Sequence, residues 1–357
     1  MIPGISHVMK RQGREARRRI LRKSPFFEQH LPGWELGAPS WARLGEGASS
    51  PVIVAVGSGK GGVGKSLITA NLGAQIASEG YRCLLIDMDL GSANLHTYFG
   101  FARPQKTLSD FLNDEALSFQ ELIIQGPIKD LGVVAGGRLD ERSLSLKMGP
   151  RFFTRFWQEL QLCRSKYKFD FVLLDLGAGT HGMTLELFSL AHVGLISILP
   201  EPTSIENAYV FLRAYLWRLI ENLGENSGME KDAAEIQKIL GSLSAQHVDC
   251  GYLATLKEQH QFFPEFIEKL GTVVLARKVG LLVNQVRSME DRAIVSSMED
   301  ISRRFFGLQS HSLGYLNFDD TARQSLRNHR LLLLDFPHSL IVQRIKQAAQ
   351  NLLALCR

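Results

Sequence analysis

The apolar run Val52-Ile53-Val54-Ala55-Val56 stands directly before Gly59-Lys60-Gly61-Gly62-Val63-Gly64-Lys65-Ser66, which leads into a segment that reads as a helix starting near Lys65. Strand, glycine-rich loop and helix in immediate succession form the opening of a βαβ unit, and this restricts the chain more than any other feature. The loop fits G-x-x-x-x-G-K-[ST], a spacing with a mechanism behind it. Its glycines let consecutive backbone N–H groups turn inward onto phosphate oxygens, and the helix that follows adds the positive end of its dipole. A nucleoside triphosphate is the guest such a loop predicts. Lys65 then spans the β- and γ-phosphates, and the Ser66 hydroxyl ligates Mg²⁺.

Further apolar runs end in carboxylates. Cys83-Leu84-Leu85-Ile86 is followed by Asp87-Met88-Asp89, and Phe171-Val172-Leu173-Leu174 by Asp175-Leu176-Gly177-Ala178-Gly179. Continuous apolar runs of this length read as buried parallel strands, and the ligand crevice of an open parallel sheet lies at the carboxyl ends of its strands. Four apolar residues followed by Asp175 is the pattern that holds the Mg²⁺ shell from a neighbouring strand. The expected fold is α/β, a doubly wound, mostly parallel sheet flanked by helices.

Lys60, a second lysine near the start of the loop, makes Lys-Gly-Gly-Val-Gly-Lys-Ser similar to the deviant Walker A motif of the MinD/ParA ATPases. That resemblance implies ATP and ADP with Mg²⁺ as cofactors and an ATP-dependent homodimer in which Lys60 reaches the partner's phosphates. It implies that residues Gly59 to Leu67 line the nucleotide. Asp89 would help hold Mg²⁺ and the attacking water, Asp87 would support the site, and Gly177 and Gly179 would belong to a turn that senses the γ-phosphate.

The segments Asp89-Leu90-Gly91-Ser92-Ala93-Asn94, Asp175-Leu176-Gly177-Ala178-Gly179 and Pro200-Glu201-Pro202-Thr203-Ser204 resemble the FlhG (FleN) branch, regulators of flagellar number and placement. The same resemblance puts Glu201 at the nucleotide site, Asn284 on the adenine edge and Asp319 near the base. Two positions depart from the branch: Asn207 stands where an Asp is usual, and Asn317 where a Pro is usual. The first keeps a hydrogen-bonding group without its charge, and the second frees the loop that leads to Asp319.

The net charge of +5 is unevenly spread. Residues 1–50 hold nine basic and four acidic residues, and the rest of the chain holds 32 of each, so the excess sits in the leader. We read 1–50 as a basic arm and linker, and 51–357 as the ATPase domain with a helical insertion at about 219–278. The arm or the insertion is expected to contact a protein partner. Specific nucleic-acid binding is not expected, because no base-reading module accompanies the charge.

Residues 337–357 read as an amphipathic helix that docks on the sheet or, as in some MinD-like proteins, touches the membrane. With no apolar segment of bilayer length, no secretory signal and no paired cysteines among Cys83, Cys163, Cys250 and Cys356, the expectation is a cytoplasmic protein, with peripheral contact on the inner membrane face through that helix. A DNA-partitioning ATPase of the ParA type is the leading alternative. A metal or iron–sulfur carrier is disfavoured by the cysteine spacing.

Overall fold

The computed structural model describes residues 50–139, 149–243 and 251–357; the basic leader and Cys250 lie outside them. Eight strands form one sheet: β1 (Val52–Gly57), β2 (Cys83–Asp87), β3 (Ile124–Gln125), β4 (Leu131–Val134), β5 (Phe171–Asp175), β6 (Val193–Ile198), β7 (Lys278–Val286) and β8 (Gln309–Asn317). Their order is β3-β4-β2-β5-β1-β6-β7-β8. Every neighbouring pair is parallel except β3 with β4. The chain therefore winds outward from near β1 in both directions, as the apolar runs predict.

The helices are α1 (Lys65–Ser78), α2 (Leu108–Asn113), α3 (Phe119–Leu122), α4 (Pro150–Ser165), α5 (Gly182–Leu190), α6 (Pro202–Ser227), α7 (Glu230–Leu243), α8 (Gly251–Gln259), α9 (Pro264–Leu275), α10 (Met289–Ile301), α11 (Thr321–Arg327), α12 (Leu332–Asp335) and α13 (Leu340–Cys356). They cover the sheet in two layers. On one face α1 and α13 pack over Val54, Val56, Leu85 and Leu173. On the other, α4, α5, α6, α9 and α10 pack over Ile53, Ala55, Ile86 and Leu174. Alternate residues of each strand thus serve opposite cores, which is why these strands read as unbroken apolar runs.

Three helices, α7, α8 and α9, occupy the segment between α6 and β7. Ile236, Leu240, Phe266 and Leu270 are buried in the same core as α6. Close crossing of α6 and α7 depends on Gly224, where an added Cβ would lie 2.6 Å from the Ala233 Cβ.

Ile341, Ile345, Ala348, Ala349, Leu352 and Leu353 of α13 are buried against the sheet and α1. Lys278 Nζ donates to the Leu355 carbonyl at 2.7 Å, and Asn351 Nδ2 to the Leu313 carbonyl at 3.2 Å. The apolar side of α13 is thereby taken up by the core, the docking outcome of the two that the sequence left open. Among the described residues no helix is long and apolar enough to cross a membrane.

Candidate nucleotide and magnesium site

The loop after β1 runs over the carboxyl ends of the central strands and is fixed from three directions. Asn284 Nδ2 donates to the Val63 carbonyl at 2.9 Å, Ser197 Oγ donates to the same carbonyl at 3.3 Å, and Ser58 Oγ donates to the Lys60 carbonyl at 2.7 Å. Two of its glycines are sterically required. A Cβ on Gly59 would sit 2.0 Å from the Asn207 carbonyl oxygen; Gly64 has φ +91°, and its Cβ would lie 2.4 Å from Asn284 Nδ2. Gly61 and Gly62 have open space where a Cβ would sit, though the φ of +76° at Gly62 still favours glycine.

Lys65 opens α1 and is buried. Burial pushes its pKa down, while the nearby Asp175 and Asp89 carboxylates pull it back up. The register explains how these groups meet: Asp175 at the end of β5 lies opposite Val56 of β1 on one side and Asp87 of β2 on the other. Asp175 is fully buried, and desolvation raises its pKa to about 6 against hydrogen bonds from Ser66 and Thr69. The Thr69 hydroxyl lies 3.1 Å from Asp175 Oδ1 and 3.0 Å from the Lys65 carbonyl.

Asp89 stands beyond β2 and faces the turn that follows β5: a Cβ on Gly177 would be 3.8 Å from Asp89 Oδ1. Its own Oδ1 accepts the Ser92 N–H at 3.2 Å. The Gly179 N–H donates to the Ser58 carbonyl at 2.9 Å, so the turn is hydrogen-bonded to the glycine loop.

Asp87, Asn284 and Asp319 are among the predicted site residues that use polar groups within the protein. Asp87 is buried, and its two oxygens accept the N–H groups of Asp89 at 3.1 Å and Leu95 at 3.0 Å; burial and the neighbouring Asp175 raise its pKa. It braces the turn that carries Asp89. Asn284 gives its amide to the Val63 carbonyl and accepts the Gln285 N–H at 2.9 Å, so it holds the loop from below. Asp319 Oδ1 accepts the Thr321 N–H and hydroxyl at 2.9 and 2.7 Å, at the start of α11.

Glu201 Oε2 lies 2.9 Å from Lys60 Nζ, and Thr203 Oγ1 lies 3.3 Å from the same nitrogen. The side chains of Lys60 and Glu201 are 31% and 55% exposed, so the pair can open to solvent. Asn207, the departure from the expected Asp, donates to the Thr203 carbonyl at 2.7 Å.

Sequence reading missed Thr69, Ser197 and Thr203. Thr69 alone left a signal, because its place one turn after Lys65 puts both on the same side of α1. The residues present suit Mg²⁺: it takes few protein ligands and keeps phosphate and water oxygens, and here the Ser66 hydroxyl and Asp175 lie together with Asp89 nearby. Among the described residues no group of three His, Cys, Asp or Glu side chains could cage a metal by itself.

The profile of the CobQ/CobB/MinD/ParA nucleotide binding domain matches residues 54–332, most of the chain. The chain belongs to the MinD/ParA family. Its relatives include the antiactivator FleN of Pseudomonas aeruginosa, 22% identical over 309 residues, which are 85% of this chain and 88% of FleN. The flagellum site-determining protein YlxH of Helicobacter pylori is 32% identical over 161 residues, 45% of this chain and 52% of YlxH. This MinD/ParA chain spans about half the length of several curated relatives it matches. Among solved structures, the septum site-determining protein MinD of Pyrococcus horikoshii, complexed with Mg-ADP, superposes with a TM-score of 0.55 at 17% identity. That match covers 85% of this chain and 96% of the other, and it places the fold.

Proposed function

We propose that this MinD/ParA protein is an ATP-hydrolysing switch that pairs with a second copy when ATP is bound and so organises a cellular structure in space. Placement of a flagellum, the role in the name of YlxH, is the structure the resemblance favours. The observation that carries the reading is the buried Lys65 set among Asp175, Asp89 and the Ser66 hydroxyl at the carboxyl ends of the central strands.

Lys65 and the N–H groups of the glycine loop hold the triphosphate. Ser66, Asp175 and Asp89 would hold Mg²⁺, which would supply positive charge against the negative charge on the phosphate oxygens. Asp89 orients the attacking water. Lys60 is held in cis by Glu201 and Thr203 when the protein is alone. Pairing releases it to the partner's phosphates, where it neutralises charge that exists only during transfer. Loss of the γ-phosphate removes contacts made by the turn at Gly177 and ends the pairing.

Asp89→Ala protein held with ATP and Mg²⁺ provides the test, by light scattering for mass and by recovery of bound proteins. A stable dimer that retains flagellar components supports the reading. A monomer under these conditions overturns the switch, and recovery of a chromosome or plasmid adaptor overturns the flagellar placement.

A further inference from the structure

The Lys60 ammonium lies in a partly exposed pair, but the backbone that carries it is held from inside the protein. Ser58, at the turn out of β1, is fully buried. Its hydroxyl has a single proton to give, and it donates to the Lys60 carbonyl at 2.7 Å. The carbonyl and the N–H of one peptide point in opposite directions, so the same contact turns the Gly61 N–H away from the buried side of the loop. Gly59, between the two residues, lies against α6, where the Asn207 carbonyl leaves no room even for a Cβ.

The main chain of Ser58 is engaged elsewhere. Its carbonyl accepts the Gly179 N–H at 2.9 Å, from the turn that follows β5. The register brings them together: Val56 of β1 lies opposite Asp175 of β5, so the chain leaves both strands side by side at Ser58 and Gly177. Gly179 has φ +86°, a conformation that favours glycine. One buried residue is therefore bonded to the turn through its main chain and to Lys60 through its side chain.

We propose that Ser58 is the positioning residue for Lys60. Its hydroxyl fixes the point from which the Lys60 side chain leaves the loop, and its carbonyl ties that point to the turn at Gly179. The proposal rests on the switch reading, in which Lys60 reaches a second copy, and adds what aims it. A lysine ammonium rides on a flexible four-carbon stem, so a fixed origin decides how often it meets a phosphate across an interface. Misplacement by ~1 Å in a catalytic constellation costs up to about a hundredfold. In the protein alone the anchored stem sets Nζ on Glu201 and Thr203. A change in the turn, when a γ-phosphate is bound or lost, passes to Lys60 through this one residue.

Ser58→Ala removes the hydroxyl and leaves the carbonyl. Loss of one neutral hydrogen bond shifts an equilibrium about threefold to tenfold. Pairing with Mg²⁺ and a non-hydrolysable ATP analogue, followed by light scattering, is expected to weaken by that factor, and at least about threefold more than affinity for ADP, which needs no second copy. Ser58→Thr, which keeps the hydroxyl, is expected to pair within about twofold of wild type. In Lys60→Ala protein no ammonium remains to be aimed, so adding Ser58→Ala is expected to lower ATP turnover less than about twofold, against about threefold or more when Lys60 is present. Circular dichroism confirms that each variant is folded. Unchanged pairing in Ser58→Ala, equal losses of pairing and ADP affinity, no recovery in Ser58→Thr, or an effect as large without Lys60 overturns the proposal and leaves the switch reading standing. Absence of pairing in the wild type overturns the switch reading and this proposal with it.

Discussion

Two residues of the site have properties that solution measurements can isolate. Lys60 is paired in cis with Glu201 across a partly exposed contact. Exposed pairs of this kind contribute about 0–1 kcal/mol, so their loss changes an equilibrium by at most about fivefold. Glu201→Gln is accordingly expected to speed ATP-dependent dimer formation by up to about fivefold in stopped-flow light scattering, without weakening ATP binding.

Asp175 is a stronger case, because burial raises its pKa from 3.8 to about 6. The folded state then binds a proton more readily than the unfolded chain. The stabilisation from that proton is complete below pH 3.8 and is lost as the pH rises through 6. Mg²⁺ competes for the ionised form, so its effect on nucleotide affinity should grow across the same range. Asp175→Asn is expected to flatten the pH dependence of chemical-denaturation midpoints between pH 4 and 6 and to abolish the Mg²⁺ effect. A mutant that keeps either dependence assigns it to another group.

At the scale of elements, the expectation for α13 divides into two measurable outcomes. With Leu352 fully buried against the sheet, Leu352→Ala should cost about 2–5 kcal/mol and lower the thermal midpoint by several degrees. A lipid-binding helix would instead lose vesicle affinity with its stability unchanged.

The same scale shows what the sequence made legible. Strands β1, β2, β5, β6 and β7 announce themselves because burial on both faces demands unbroken apolar runs, and the glycine loop because its chemistry needs a fixed spacing. The antiparallel β3 is only two residues long and has no period to detect. Lys60 and Glu201 lie 141 residues apart, and only the neighbouring positions of β1 and β6 in the sheet bring them together. Asn284, 221 residues from Val63, donates to that residue's carbonyl because β7 approaches the loop, a contact no spacing along the chain announces. Spacing along a chain identifies the strand ends that will converge; it does not say which polar groups satisfy one another once they have.

For the whole molecule, the proposal separates binding from pairing, and the two lysines report on each. Lys65 is buried in its own chain, and under the proposal it would govern whether nucleotide is held at all. Lys60 sits in a partly exposed pair with Glu201, and under the proposal it would govern whether a second molecule joins. A ligand at a hundred times its dissociation constant adds about 2.7 kcal/mol to the stability of the state that binds it, and a dimer adds a further dependence on protein concentration. Thermal unfolding with and without Mg-ATP, at two protein concentrations a hundredfold apart, therefore resolves the two roles. The wild-type midpoint should rise with ATP and rise again with concentration. Lys60→Ala should keep the first rise and lose the second, whereas Lys65→Ala should lose both. If Lys60→Ala behaves as wild type at both concentrations, pairing does not run through that lysine, and the cis contact with Glu201 is a surface ion pair with no part in the switch.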